Sequence, residues 1–122
     1  METGIGMLIG KTIIEISNYN DEIIFTVKGG DQYKMYHSQD CCESVSVEDI
    51  VGDLDDLIGS KIITASEDSS TDKPKDVVRD YEPESETWTF YHLATRKAHV
   101  TIRWCGQSNG YYSESVDFVK MN

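Results

Sequence analysis

Apolar and polar residues alternate with a period of two over much of the chain, the spacing of strands with one face buried. Residues 12–17, 21–28 and 32–38 are rich in β-branched and aromatic side chains, parted by Asn18-Tyr19-Asn20 and by Gly29-Gly30-Asp31. They predict a three-stranded meander. In the second segment Ile23, Phe25 and Val27 share one face and Glu22, Thr26 and Lys28 the other, with Ile24 the exception. One side of the sheet should therefore be core and the other mostly wet. A fourth strand is expected over 42–47.

Between 48 and 58 the period changes. Ile50, Val51, Leu54, Leu57 and Ile58 fall at i, i+1, i+4, i+7 and i+8, while Asp53, Asp55 and Asp56 project elsewhere. This predicts a short amphipathic helix. Ser46 with Asp49 three residues on resembles a capping box, and Gly59 suits a left-handed helix end. A strand at 61–65 follows.

Residues 66–86, SEDSSTDKPKDVVRDYEPESE, lack periodicity and read as a long acidic surface loop, with Val77, Val78 and Tyr81 as means of docking. Three more strands are expected at 87–94, 98–105 and 111–120, with Asn109-Gly110 a strong turn signal. Alternation places Val100, Ile102 and Trp104 on one face and His99, Thr101, Arg103 and Cys105 on the opposite one.

The chain repeats itself. LIGKTII at 8–14 returns as LIGSKII at 57–63, and CCESVSVEDI near the end of the first half returns as YYSESVDFVK near the end of the second. The order predicts two related β-rich halves, 7–49 and 56–119, neither apolar enough to stand alone. Leu57, Ile58 and Ile62 should then share a core with Leu8, Ile13 and Ile16. The expected fold is α+β: one domain over 1–122, mostly antiparallel sheet, with one short amphipathic helix.

Composition narrows the function. With 122 residues, one core is expected. Acidic residues outnumber basic ones 22 to 11, and the net charge of −11 disfavours direct nucleic-acid binding and anionic membranes. No stretch reaches the ~18 apolar residues of a membrane span, and the start lacks a secretory pattern, so a cytoplasmic location is expected. Three cysteines, Cys41, Cys42 and Cys105, form a poor disulfide framework and should be reduced.

Enzymatic readings find little support. His37, Asp40, Cys41 and Cys42, with His92, His99 and Cys105, are metal-capable but lack zinc spacing, so small structural cysteines are the simpler reading. A Cys–His nucleophile would need an orienting residue and an oxyanion loop, and none is identifiable. Asp53, Asp55 and Asp56 fit a solvated helix face, and GIGMLIG lacks the Lys-Ser or Lys-Thr of a phosphate loop. No enzyme activity, metal or cofactor is expected.

The carboxy-terminal half instead concentrates Trp88, Phe90, Tyr91, Trp104, Tyr111, Tyr112 and Phe118 with Arg79, Arg96, Lys97 and Arg103. An aromatic sheet core rimmed by Arg explains most of them. Stacking faces and guanidinium groups can also hold a nucleotide in an acidic protein. The candidate ligand-binding set is Arg96, Lys97, Arg103, Trp88, Tyr91 and Trp104. Arg103, in an aromatic strand, needs a counter-charge: a ligand phosphate or, within the fold, Asp117.

The blocks LIGKTI, YHSQDCCESVSVEDIVGDLDDLIGSKI and TFYHLATRKAHVTIRWCGQSNGYYSESVDF, above all DCCE and SNGYYSESV, resemble a family of small phage and prophage proteins known as a domain of unknown function. The resemblance covers nearly the whole chain. It implies a viral protein acting inside a bacterium and supplies no catalytic residues. Two counter-defence roles fit. The protein could sequester a cyclic-nucleotide or ADP-ribose-type signal, in a pocket often formed between protomers of a homo-oligomer. Alternatively, an acidic face built from Glu67, Asp68, Asp72, Asp76, Asp80, Glu82, Glu84 and Glu86 could mimic nucleic acid and bind a host defence protein, as anti-restriction and anti-CRISPR inhibitors do.

Overall fold

A computed structural model describes residues 4–121. Eight strands run in the order β1 (Ile13–Tyr19), β2 (Glu22–Val27), β3 (Gln32–Tyr36), β4 (Ser44–Val51), β5 (Thr64–Ser70), β6 (Ser85–Ala94), β7 (His99–Ser108) and β8 (Asp117–Lys120). Short 3-10 turns at Gly4–Leu8 and Leu54–Leu57 precede β1 and β5. The strands form two antiparallel sheets, ordered β1-β2-β3-β8 and β4-β7-β6-β5.

The sheet orders explain the repeat. Each half supplies a turn and a three-stranded meander, and then sends its fourth strand to the other half's sheet: β4 pairs with β7, and β8 with β3. The two LIG segments meet face to face. Thr12 bridges Lys61, Gly10 N–H donates to Ile62 O at 2.8 Å, and Gly59 N–H donates to Ile13 O at 2.9 Å. These reciprocal bonds mark an approximate two-fold axis. Both glycines have positive φ, 85° and 94°, a conformation that costs glycine little.

Burial follows the same symmetry. Leu8 and Leu57, and Ile13 and Ile62, are fully buried in one core that draws on both sheets, with Ile16 packed against it. Ile9 and Ile58 are 43% and 37% exposed, so the expectation that Ile58 joins the core fails. Ile23, Phe25 and Val27 face inward as their alternation requires, and Trp104 spans the core to donate its indole N–H to Met35 Sδ.

The expected helix is absent: among the described residues there is no α-helix, and the fold is two β-sheets. Residues 44–51 are strand β4, whose Ser46, Asp49 and Val51 pair with Cys105, Arg103 and Thr101. A bulge between Val47 and Asp49 puts Val47 opposite Trp104 and Ile50 opposite Ile102, so two residues three apart face the core. That spacing imitates a helix. Beyond Gly52, only Leu54–Leu57 turns helically, capped by Asp53, whose side chain accepts from Asp55 N–H. The acidic loop is also shorter than its sequence suggests, because β5 continues to Ser70 and β6 begins at Ser85.

Candidate functional site

Polar and aromatic side chains of chemical interest gather in four places: the outer face of the β4-β7-β6-β5 sheet, its core face, the two chain crossings between sheets, and the β6–β7 turn.

On the outer face, Arg103 lies on β7 beside Phe90 of β6, with Trp88 and Cys105 paired one step along. Its guanidinium donates through Nε to Glu48 at 2.6 Å and through both terminal nitrogens to Asp76, at 3.1 and 3.0 Å, with Asp49 at 3.9 Å. Bonding to Asp76 and Glu48 raises its pKa, and Arg103 holds the Asp76 carboxyl below the usual range. Three carboxylates around one guanidinium leave this corner negative, and Asp117 is not among them. Asp117 instead accepts from Ser38 N–H at 3.2 Å.

Asp76 belongs to the segment between β5 and β6, which lies against this face as a strap. Arg79 forms a two-pronged pair with Glu86 at 2.7 and 2.5 Å, and Tyr81 accepts from Gln107 Nε2 at 3.2 Å. Trp88, although on the outer face, is only 1% exposed, and the Arg103 guanidinium sits 5.6 Å from its ring centre. Val77 is half-buried, whereas Val78 is 93% exposed, so the docking is largely ionic. Cys105 is half-buried there, and burial pushes its thiol up to about 11, away from nucleophilic chemistry.

Tyr91 and Trp104 face the opposite way, fully buried in the core. Burial raises the pKa of the Tyr91 hydroxyl, and the nearby Glu67 and Asp117 carboxylates raise it further. The structure thus separates the sequence-derived set of six. Trp88 and Arg103 lie under the strap, Tyr91 and Trp104 lie in the core, and Arg96 and Lys97 lie in the β6–β7 turn.

At the crossings, each half buries a glutamate from its Glu-Ser-Val motif. Glu43, between β3 and β4, accepts from Asp40 N–H at 2.9 Å, Cys41 N–H at 3.0 Å and His37 Nε2 at 2.8 Å. Glu114, between β7 and β8, accepts from Thr87 Oγ1 at 2.8 Å and from Ser108 Oγ, six residues upstream as His37 is from Glu43. The crossings also touch, because His37 Nδ1 lies 2.7 Å from Ser115 O. With a carbonyl on one nitrogen and a carboxylate on the other, both ring nitrogens face acceptors. The His37 bond, then the two backbone donors, lower the Glu43 pKa from an ordinary 4.5 to about 2. Cys41 and Cys42 are joined as an exposed disulfide beside Glu43, so the expectation of reduced thiols does not hold for this pair. An odd count with two adjacent cysteines is a poor disulfide framework because it ties no distant segments together, and this bond, between neighbours, ties none.

At the β6–β7 turn, the buried Thr95 accepts from Lys97 N–H and Ala98 N–H, and this fixes Arg96 and Lys97 at its tip. Together with Ser60, Lys61 and Ile63 they line a cavity of about 430 Å³. Lys61 sits there because its bridge to Thr12 anchors the second LIG segment. Sequence reasoning missed Ser60, Lys61 and Ile63, whose only signal was membership of the repeat. Among the described residues, no ion pair engages Lys61, Arg96 or Lys97. The lining holds three cations, one hydroxyl, a half-exposed isoleucine and no carboxylate, an arrangement suited to an anion with some apolar body.

Among the described residues, no group of His, Cys, Asp and Glu is arranged to hold a metal, and no helix is long and apolar enough to cross a membrane. Comparison with curated proteins and with solved structures found no match to the chain. The family comparison does match: the model of a domain of unknown function, DUF7448, covers residues 6–118, and the chain, with its paired halves and exchanged strands, belongs to that family.

Proposed function

We propose that the protein is a non-enzymatic phage counter-defence protein that binds and sequesters a nucleotide-derived immune signal in the cytoplasm of the infected bacterium. The observation that supports this reading is the cavity of Lys61, Arg96 and Lys97. In a chain with 22 acidic residues, three cations converge without a carboxylate between them. Leaving them unpaired maintains a local positive potential inside a negative protein, and the surrounding charge keeps bulk nucleic acid away. With Trp88, Tyr91 and Trp104 buried elsewhere, the ligand would be held by its phosphates and by contact with Ile63 rather than by stacking.

Calorimetry with a panel of cyclic dinucleotides and cyclic ADP-ribose isomers tests this. Binding is expected to weaken as salt rises and to disappear in a Lys61→Ala, Arg96→Ala, Lys97→Ala triple variant that still folds. Arg103→Ala should bind normally but melt at lower temperature, because it strips the counter-charge from Glu48 and Asp76. No heat with any ligand would remove the reading.

The alternative is an acidic, nucleic-acid-mimicking inhibitor of a host defence protein. Its support is the strap, on which Asp72, Asp80, Glu82 and Glu84 stay exposed while Asp76 and Arg79 hold the segment to the sheet. Native mass spectrometry of protein recovered from defence-active cells separates the two by showing a retained small molecule or a bound host protein.

A further inference from the structure

The Cys41–Cys42 disulfide lies outside the proposed ligand cavity and in the chain crossing that carries β4 to the second sheet. Both cysteines are exposed, so an external thiol can reach them. Their backbone is not independent of the core. Cys41 N–H and Asp40 N–H are two of the donors on the buried Glu43 carboxylate, and Gln39 Nε2 holds Glu43 O at 2.8 Å. Through His37, the same carboxylate reaches Ser115 O in the other crossing, two residues before β8. A change at the sulfurs therefore acts on a chain of bonds joining both exchanged strands.

We propose that Cys41–Cys42 is a reversible thiol–disulfide exchange site whose redox state sets how firmly the two crossings are latched. A low-molecular-weight thiol attacks one sulfur as its thiolate, forming a mixed disulfide and releasing the neighbouring cysteine as a thiolate that takes up a proton. A second thiol then attacks the mixed disulfide. The net change is two external thiols oxidised to one disulfide and two cysteine thiols formed, with two electrons and two protons transferred. Oxidised, the ring formed by the two adjacent cysteines restrains the loop and keeps the amide donors of Asp40 and Cys41 on Glu43. Reduced, the loop regains torsional freedom, and the carboxylate loses donors it needs while buried. The opening then spreads through His37 to Ser115.

The test uses the full chain equilibrated in oxidised and reduced glutathione mixtures, read by maleimide labelling with peptide mass spectrometry and by amide hydrogen exchange. Under oxidising mixtures Cys41 and Cys42 should resist labelling, and under reducing mixtures both should label, the half-buried Cys105 behaving alike in the two. Reduction should speed exchange by roughly ten-fold at 38–43 and at 113–117, with the β6–β7 turn unchanged. A Cys41→Ser, Cys42→Ser variant should exchange like the reduced protein in either mixture, and Cys105→Ser should still switch. Labelling of Cys41 and Cys42 under fully oxidising conditions would overturn the site. Equal exchange at 113–117 in the two states would overturn the latch.

Discussion

Glu43 is the residue on which most local structure converges. Its side chain is buried, and its donors come from His37, Asp40 and Cys41, three positions of one short crossing. A carboxyl whose pKa falls on folding binds fewer protons in the native state than in the unfolded one. Its stabilising effect is thus complete above the ordinary 4.5 and is lost as the pH drops through about 2. Glu43→Gln should therefore melt below the wild type at neutral pH, and the gap should narrow between pH 4.5 and about 2. Thermal melts of both proteins across that window check this. A gap independent of pH would mean that ionisation of Glu43 does not matter. Asp76 and Glu86 titrate downward as well, so the comparison has to be the difference between the two proteins rather than the wild-type profile alone.

At the scale of elements, the LIG repeat makes a sharper statement than its sequence does. Two segments with nearly identical residues hold identical roles. Leucine and the second isoleucine are buried, while the residue after leucine and the last isoleucine face solvent. Leu8→Ala and Leu57→Ala should each cost about 2–5 kcal/mol, because both side chains fill the shared core. Ile58→Ala should fall within about 1 kcal/mol, as expected of a partly exposed position. Denaturant titration of the three variants decides it, and a large cost at Ile58 would contradict the burial pattern. The same scale explains the lost helix. Hydrophobic spacing in β4 was legible, but a bulge converts an alternating strand into one with a three-residue step, and only pairing with β7 exposes that.

Across the whole molecule, the exchange of β4 and β8 ties the halves together, and the second crossing has little space beside β7. Gly106 on β7 shows how little: a Cβ there would sit 2.5 Å from Glu114 O and 2.9 Å from Glu114 Cβ, against backbone that carries the second crossing. Gly106→Ala should therefore destabilise the fold by about 1–3 kcal/mol, although glycine within a strand is usually improved by alanine. Chemical denaturation measures it, and a neutral or stabilising effect would show that the crossing can move aside. Beyond stability, the charge of the molecule is unevenly spent. Carboxylates surround Arg103 and line the strap, while Lys61, Arg96 and Lys97 remain without them.

The strand expected at 111–120 is only Asp117–Lys120, and Asn109-Gly110 closes no hairpin, because β8 pairs with β3 rather than with β7. The sequence by itself determined the β-rich character, the first meander, the alternation of β2 and β7, and the existence of two related halves. These follow from side-chain period and turn chemistry, which act over a few residues. Tertiary structure decided what depends on partners far along the chain. It settled which sheet each fourth strand joins, and the repeated Glu-Ser-Val motifs hinted at equivalent glutamates without showing that strands are exchanged. It also decided that Arg103 meets Glu48 and Asp76, residues 55 and 27 positions away. Arg96 and Lys97 were legible as cations beside a turn, but their cavity is completed by Lys61 and Ile63 through the pairing of the two LIG segments. The aromatic residues near them in sequence lie on other faces, because alternation along β6 and β7 sends neighbours to opposite sides of the sheet. Proximity in sequence fixes a strand's period, whereas a binding surface is made by which strands the backbone hydrogen bonds bring together.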